Sequence, residues 1–416
     1  MNRVKLGDIL QIKHGYAFKS ENYVEKSPYA LVTLANISGS NNFQFTPDKT
    51  TYYGAAFPDE FKLYEDDLIM PLTEQVVGLF GNSAFVPKIK EIQFVLNQRV
   101  GKVIPIEEKA DKYYLHYLLS TDIVRDQLEY RASGTRQRNI SPSDVYDVTV
   151  FIPDTKTQQK IGKTLYDLER KINLNNQVND NLQHQLKLLY DYWFTQFDFP
   201  DENGKPYRSS GGEMVWNEQL KRDIPVDWQF IGIKDITNIT WGQCPEGKNI
   251  LDKATQGKDL FDYCSGAGDM KGGFLVDCQA KTNNSKRFAY KNDILVSVAG
   301  KIGDMCVVDH TISLGRAAMS YSVKEIKDLT FVYMTLQALN RKMTTISTGS
   351  IQKVINNDHI NDFIFPYHKD IVLRFGNLTE DLFTELMNIS HENKRLMQLR
   401  DWLLPMLMNG QATIAD

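Results

Sequence analysis

Ile161, Leu165, Leu168, Ile172, Asn175, Asn179, Leu182, Leu186, Leu189 and Trp193 recur at alternating steps of four and three. This is the a/d spacing of a coiled coil, with two asparagines set into an otherwise apolar seam. It predicts one uninterrupted helix over 154–197, whose seam spans roughly 50 Å at 1.5 Å per residue. A second set, Ile371, Phe375, Leu378, Leu382, Glu385, Ile389, Glu392, Leu396, Leu399 and Leu403, follows 210 residues later, position for position. It predicts a second helix over 367–410. Neither helix buries its stripe alone, so the two are expected to pair. Antiparallel pairing relates the flanking segments by an approximate two-fold axis. It also brings Asn179 toward Glu385, a polar contact that fixes register at some cost in stability.

Ahead of each helix the pattern changes to short apolar runs of strand type, and these also occur twice. EDDLIMPLT (65–73) resembles KNDILVSVA (291–299), each an acidic turn opening an apolar strand. GLFGNSAFV then resembles GKIGDMCVV, and Arg99 in LNQRVGKVIP is set against Arg316 in SLGRAAMSYSV. A helical stretch follows in both copies, DKYYLHYLLSTDIVRDQL and DLTFVYMTLQALNRKM. Next come two glycine-bearing loops, YRASGTRQRNISPSDV (130–145) and TISTGSIQKVINNDHI (345–360). Setting Gly134 on Gly349 places Gln137 on Gln352 and Arg138 on Lys353, and each loop leads into a short strand ending in proline, at Pro153 and Pro366.

A repeat of this length makes the chain a duplicated unit. The expected organisation is a globular domain over 1–153, the first helix, a loop-rich connector over 198–228, a second globular domain over 229–366, and the second helix. Gly, Pro, Ser and charge clusters mark the connector. Short strands alternate irregularly with one or two helices in each globular part, which is an α+β pattern. The fold class is thus α+β, with two similar domains separated by two long helices in an antiparallel coiled coil and a pseudo-two-fold internal repeat.

Composition adds limits. A chain of 416 residues with 42% hydrophobic and 24% charged positions has material for more than one core. A net charge of −4 gives no global sign of nucleic-acid binding, though a local basic surface on such a chain still collects phosphates. Cys244, Cys264, Cys278 and Cys306 form no C-x-x-C pair, so reduced thiols and a cytoplasmic setting are expected. MNRVKLGDIL lacks the apolar core of a signal peptide, and no apolar run reaches the length of a membrane span.

Catalytic motifs are scarce. WGQCPEGKN (241–249) contains G-x-x-x-x-G-K, but Asn249 stands where a P-loop needs Ser or Thr, and Pro245 interrupts the loop. CSGAGDM (264–270) carries only a lone G-x-G, and FPDEFK (57–62) compresses a nuclease-like pattern beyond use. The chain has no D-P-P-Y-type motif, no H-x-x-x-H and no assignable triad. No catalytic residue and no metal site are expected.

Recognition remains. Two similar heads on a stiff spacer suit two half-sites along one duplex, with spacing set by geometry. Direct readout needs Arg, Lys, Asn and Gln at base edges, with Lys, Arg, Ser and Thr on phosphates. The DNA-binding candidates in the first copy are Thr73, Gln75, Asn97, Gln98, Arg99, Arg131, Arg136, Gln137 and Arg138. Those in the second are Lys281, Lys286, Arg287, Lys301, Arg316, Ser350, Gln352 and Lys353. Each has an ordinary alternative: the glycines end helices, the glutamines cap backbone groups, and surface cations are solvated.

LGDILQIKHGYAFKSENY (6–23), the D-D-L-I and N-D-I-L strands, the two G-x-x-Q loops, QQKIGKTLYDLERKINLNNQ (158–177) and LKLLYDYWFTQFDFPDENGKPY (186–207) together resemble the specificity subunits of type I restriction–modification enzymes. The resemblance covers essentially the whole chain. It implies two variable target-recognition domains on conserved antiparallel helices, each domain reading one half of an asymmetric two-part site in double-stranded DNA. It also implies no catalysis and no cofactor in this chain. Two modification subunits would methylate adenine with S-adenosylmethionine, and motor–nuclease subunits would use ATP and magnesium. ITNITWGQCPEGKN differs from LQIKHGYAFKSEN, so the half-sites are expected to be unlike. Two other readings stay open: a structural adaptor, and the specificity subunit of a related system that cuts on both sides of its site.

Overall fold

The computed structural model describes residues 1–37, 42–134, 136–271, 273–346 and 363–414. The chain divides into two compact units, Met1–Ile172 with Leu396–Asp416, and Asn173–Arg395.

In the first unit, Leu10–His14, Val100–Pro105, Leu68–Pro71 and Ala84–Phe85 form an antiparallel sheet in that order. Leu68–Pro71 is an inner strand buried along its whole length, which is why LIMP reads as a continuous apolar run. A second sheet runs Tyr23–Val24, Tyr52–Tyr53, Tyr29–Val32, Gln93–Leu96, with its last two strands parallel. Asn2–Lys5 pairs with Thr149–Ile152.

The second unit repeats this strand for strand. Thr237–Trp241, Ala318–Val323, Ile294–Ser297 and Met305–Val307 form the antiparallel sheet. Ile250–Asp252, Ala280–Thr282, Phe261–Cys264 and Ile312–Leu314 form the other, again with the last two parallel, and Phe288–Ala289 is added at its edge. Gln229–Gly232 pairs with Ile364–Tyr367. One detail of the sequence alignment changes. Gly101 lies opposite His14 and Met70, while Met319 lies opposite Trp241 and Val296. That register makes Gln98, not Arg99, the counterpart of Arg316. Gly15 and Gly242 are counterparts too: a Cβ on either would lie about 2 Å from the carbonyl oxygen of Asn97 or Gly315, respectively.

The two long helices run Thr155–Tyr190, followed by a π-helical turn Asp191–Thr195, and Lys369–Met408. Asp154 caps the first, accepting hydrogen bonds from the Thr157 amide at 3.0 Å and hydroxyl at 2.9 Å. Within the second unit the helices are antiparallel: Asn175 donates to Glu392 at 2.7 Å, Asn179 to Ser390 at 3.1 Å, and Asn393 to Asn176 at 2.8 Å. Asn179 therefore meets Ser390, not Glu385, which is exposed.

The seam of the first helix is buried or half-buried at Ile161, Leu165, Leu168, Ile172, Asn179, Leu182, Leu186, Leu189 and Trp193. The second helix departs from expectation by one residue over part of its length. Ile371, Phe375, Leu382, Ile389, Leu396 and Leu403 are covered, but Leu378, Glu385 and Leu399 face solvent, and Thr379, Leu386 and Asn393 are buried instead. Adjacent apolar pairs such as Leu382–Phe383 and Leu403–Leu404 satisfy either register in sequence. Packing decides between them, with Phe383 against the rings of Phe274 and Tyr333.

The connector is more ordered than its composition suggests. Met214–Asn217 and Arg222–Pro225 form a hairpin, Phe197 and Phe199 pack on Trp228, and Phe199 stacks on Tyr207 at 4.8 Å. Among the described residues no helix is long and apolar enough to cross a membrane.

Candidate nucleic-acid interface

In the first unit the loop after Leu68–Pro71 is tied to the glycine-bearing loop: Thr73–Glu74 pairs with Arg138–Asn139. Glu74 is only 1% exposed, accepts the amides of Leu79 at 2.9 Å and Phe80 at 3.3 Å, and forms an ion pair with Arg138 at 2.9 Å. Arg138 also donates to the Glu129 carbonyl at 2.8 Å and lies over the Phe80 ring. Gly134 has φ +106°, and a Cβ there would lie 2.1 Å from the Gln137 carbonyl oxygen, so the tight turn requires glycine.

These contacts sort the candidates. Arg138 is held by Glu74, Arg131 donates to the Gln127 and Asp147 carbonyls, and buried Thr73 donates to the Asn139 side chain. These contacts hold the three side chains within the unit, Arg138 and Thr73 at the loop itself and Arg131 beside it. A cation beside a buried carboxylate gains more from that partner than from solvent, and Glu74 carried no sign in sequence of being buried. Asn97 is also buried, accepting the Arg99 amide at 3.2 Å. Gln75, Gln98, Arg99 and Arg136 are exposed, and half-buried Gln137 donates to Asn139 at 3.3 Å.

Gln75, Asn97, Gln98 and Arg99, drawn from two loops, line one cleft of about 390 Å³ with Thr33 and Thr51. Sequence reasoning missed both threonines, which come from segments without a counterpart in the loop alignment. It also missed Val76 and Val77, which stand 79% and 68% exposed beside Gln75. The signal was available as an apolar pair in a turn-rich stretch.

In the second unit Arg316 occupies the turn between Ile312–Leu314 and Ala318–Val323 and is exposed. The Leu314 amide donates to the Arg287 carbonyl at 2.8 Å, so exposed Lys286 and Arg287 are tied to the strand that leads into this turn. Lys281 donates to the Thr255 carbonyl at 3.0 Å, and Lys301 pairs with Asp304. Each thus has a partner within its own unit. Ser350, Gln352 and Lys353 lie outside the described residues.

Behind the second sheet, His310 links Asp262 at 2.9 Å and Asp309 at 2.6 Å, while His391 and Lys394 of the second long helix approach Asp309 at 3.6 and 3.7 Å. The hydrogen bonds to Asp262 and Asp309 push His310 up to about 9. Burial alone would raise Asp309, but the hydrogen bond from His310 and the charge of Lys394 hold it at about 2. The contribution of His310 to stability is complete below its ordinary value of 6.5 and is lost as pH rises through about 9. That of Asp309 is present above 3.8 and is lost as pH falls toward 2. Thermal melting of the wild type between pH 6.5 and 9.5 is expected to fall more steeply than that of His310→Gln. Parallel curves would remove this network from the account of stability.

Among the described residues no group of three or more His, Cys, Asp or Glu side chains is arranged to hold a metal ion. The arrangement offers amide, hydroxyl and guanidinium groups on loops fixed by buried polar contacts, a chemistry suited to reading base edges and phosphates.

Comparison with known proteins agrees with this. The type I restriction modification DNA specificity domain matches residues 1–184 and 225–367. The MjaIX specificity subunit of a type I restriction enzyme from Methanocaldococcus jannaschii is 23% identical over 332 residues, covering 77% of this chain and 73% of that one. The HindI specificity subunit from Haemophilus influenzae is 23% identical over 375 residues, covering 74% and 80%. The crystal structure of a type I restriction-modification S subunit from M. genitalium shares the fold, with a TM-score of 0.58, 16% identity, and coverage of 98% of this chain and 95% of that one. The family match spans both repeats and most of their length, and the chain belongs to the type I restriction modification DNA specificity family.

Proposed function

We propose that this chain reads a two-part, asymmetric site in double-stranded DNA, one half with each unit, and directs adenine methylation and cleavage by partner subunits without catalysing either. The observation that carries this is the strand-for-strand duplication combined with unlike loops at equivalent positions, Gln98 in one copy and Arg316 in the other. One scaffold used twice with different side chains at the same turn is what reading two different half-sites demands. The catalytic inventory of the sequence is nearly empty, so chemistry falls to partners: two methyltransferase subunits using S-adenosylmethionine, and motor–nuclease subunits using ATP and magnesium.

The test is modified-base sequencing of DNA from cells expressing the chain with its methyltransferase partner, and each alone. Methylated adenines in a two-part motif are expected only with both. Exchanging residues 1–153 for those of a relative should change one half of the motif and leave the other unchanged. Absence of methylation with a demonstrably active partner would leave the chain as an adaptor without sequence reading.

A further inference from the structure

The two copies differ in the length of the loop that follows the inner strand of the antiparallel sheet. Leu68 and Ile294 occupy the same sheet position, pairing with Val103 and Tyr321, an offset of 226. On the following strand Ala84 corresponds to Cys306, an offset of 222, since each pairs one step in from the start of the preceding strand. The intervening loop is therefore four residues longer in the first unit. Gly78 and Gly81, at φ +102° and +86°, match Gly300 and Gly303, at +74° and +89°, which places the extra residues between Leu72 and Gly78. They correspond to Glu74, Gln75, Val76 and Val77.

This insertion is a fixed projection. Its base is Glu74, buried and bonded to the Leu79 and Phe80 amides and to Arg138, and the strand Thr73–Glu74 that leads into it pairs with Arg138–Asn139. Its tip carries two β-branched side chains in solvent, next to an exposed glutamine that lines the cleft holding Gln98 and Arg99. A solvated turn has no use for two exposed valines, and their presence on a locked loop beside amide donors suits a surface with both polar and methyl features. The major groove has that character: glutamine pairs with adenine edges, and apolar side chains contact the thymine 5-methyl. The short counterpart in the second unit has Gly300–Lys301 there and no apolar tip.

We infer that Gln75, Val76 and Val77 form a specificity element for the half-site read by the first unit, with the valines contacting a thymine 5-methyl group in the major groove. This rests on the proposed DNA-reading function. The test uses the complete complex with its methyltransferase partner, once its two-part motif is known from sequencing. Deoxyuridine, which lacks the methyl, replaces each thymine and its complement-strand equivalents in turn, and binding is measured by competition.

A loss of about fourfold is expected at one or two thymines of the first half-site, as for burial of a single methyl. In V76S/V77S this penalty should vanish, while uracil in the second half-site has the same effect in both proteins. Retained penalties for base-pair changes elsewhere in the first half-site show that the first unit of the variant is folded. Uracil tolerated at every position of the first half-site, or a penalty unchanged in V76S/V77S, would overturn the inference while leaving the two-part reading intact. Weaker binding of V76S/V77S without any methyl dependence would also overturn it, pointing to insertion between base steps. No two-part motif at all would be a failure of the wider reading instead.

Discussion

Glu74→Ala is expected to destabilise the first unit by about 3 kcal/mol or more, because it breaks a buried ion pair and leaves two amides without an acceptor. The carboxylate is 1% exposed and receives Leu79, Phe80 and Arg138 at 2.9–3.3 Å. Arg138, whose side chain is 22% exposed with Glu74 in place, loses this carboxylate partner beside Phe80. Glu74→Gln keeps an acceptor for the amides but loses the charge, so an intermediate loss is expected. Two units need not unfold together, so peptide-resolved hydrogen exchange over 72–80 and 128–140 is the suitable measurement. Protection in both segments should fall in Glu74→Ala while the second unit is unchanged. A change below about 0.5 kcal/mol, the range of ordinary surface substitutions, would show that the loop is not held by this carboxylate.

The second large effect concerns the helix pair. Leu386→Ala is expected to cost about 2–5 kcal/mol in the second unit, as for a fully buried leucine. Leu378→Ala and Leu399→Ala, at 53% and 42% exposed, are expected to stay within about 0.5 kcal/mol. The regular heptad continuation predicts the reverse ranking, because it places Leu378 and Leu399 in the seam and leaves Leu386 outside it. Hydrogen exchange over 173–190 and 380–395 decides between them for Leu386. A neutral Leu386→Ala would restore the simpler register.

The polar contacts in the seam bear on the same point. Asn175–Glu392, Asn179–Ser390 and Asn393–Asn176 form only when the helices are antiparallel and in this one alignment. A slip by one turn would bury several amides without partners, which costs more than the bonds themselves contribute. The asparagines thus supply specificity that an all-leucine seam would lack.

The sequence by itself determined the duplication, the existence and approximate extent of both long helices, the seam of the first, and the acidic-turn strands at 65–73 and 291–299. These follow from local rules: heptad spacing, burial of continuous apolar strands, and turn residues act within a few positions of one another and survive divergence. The tertiary structure decided the rest. Whether Leu378 or Leu386 is buried depends on Phe274 and Tyr333, more than 40 residues away in sequence. Whether Gln98 or Arg99 matches Arg316 depends on strand register across the sheet. Arg131 and Arg138 look like phosphate ligands in sequence because they are clustered cations. In the folded chain Arg138 pairs with the buried Glu74 and donates to the Glu129 carbonyl, and Arg131 donates to the Gln127 and Asp147 carbonyls. Which polar side chains stay outward to meet a ligand is a property of long-range packing, and only the folded chain displays it.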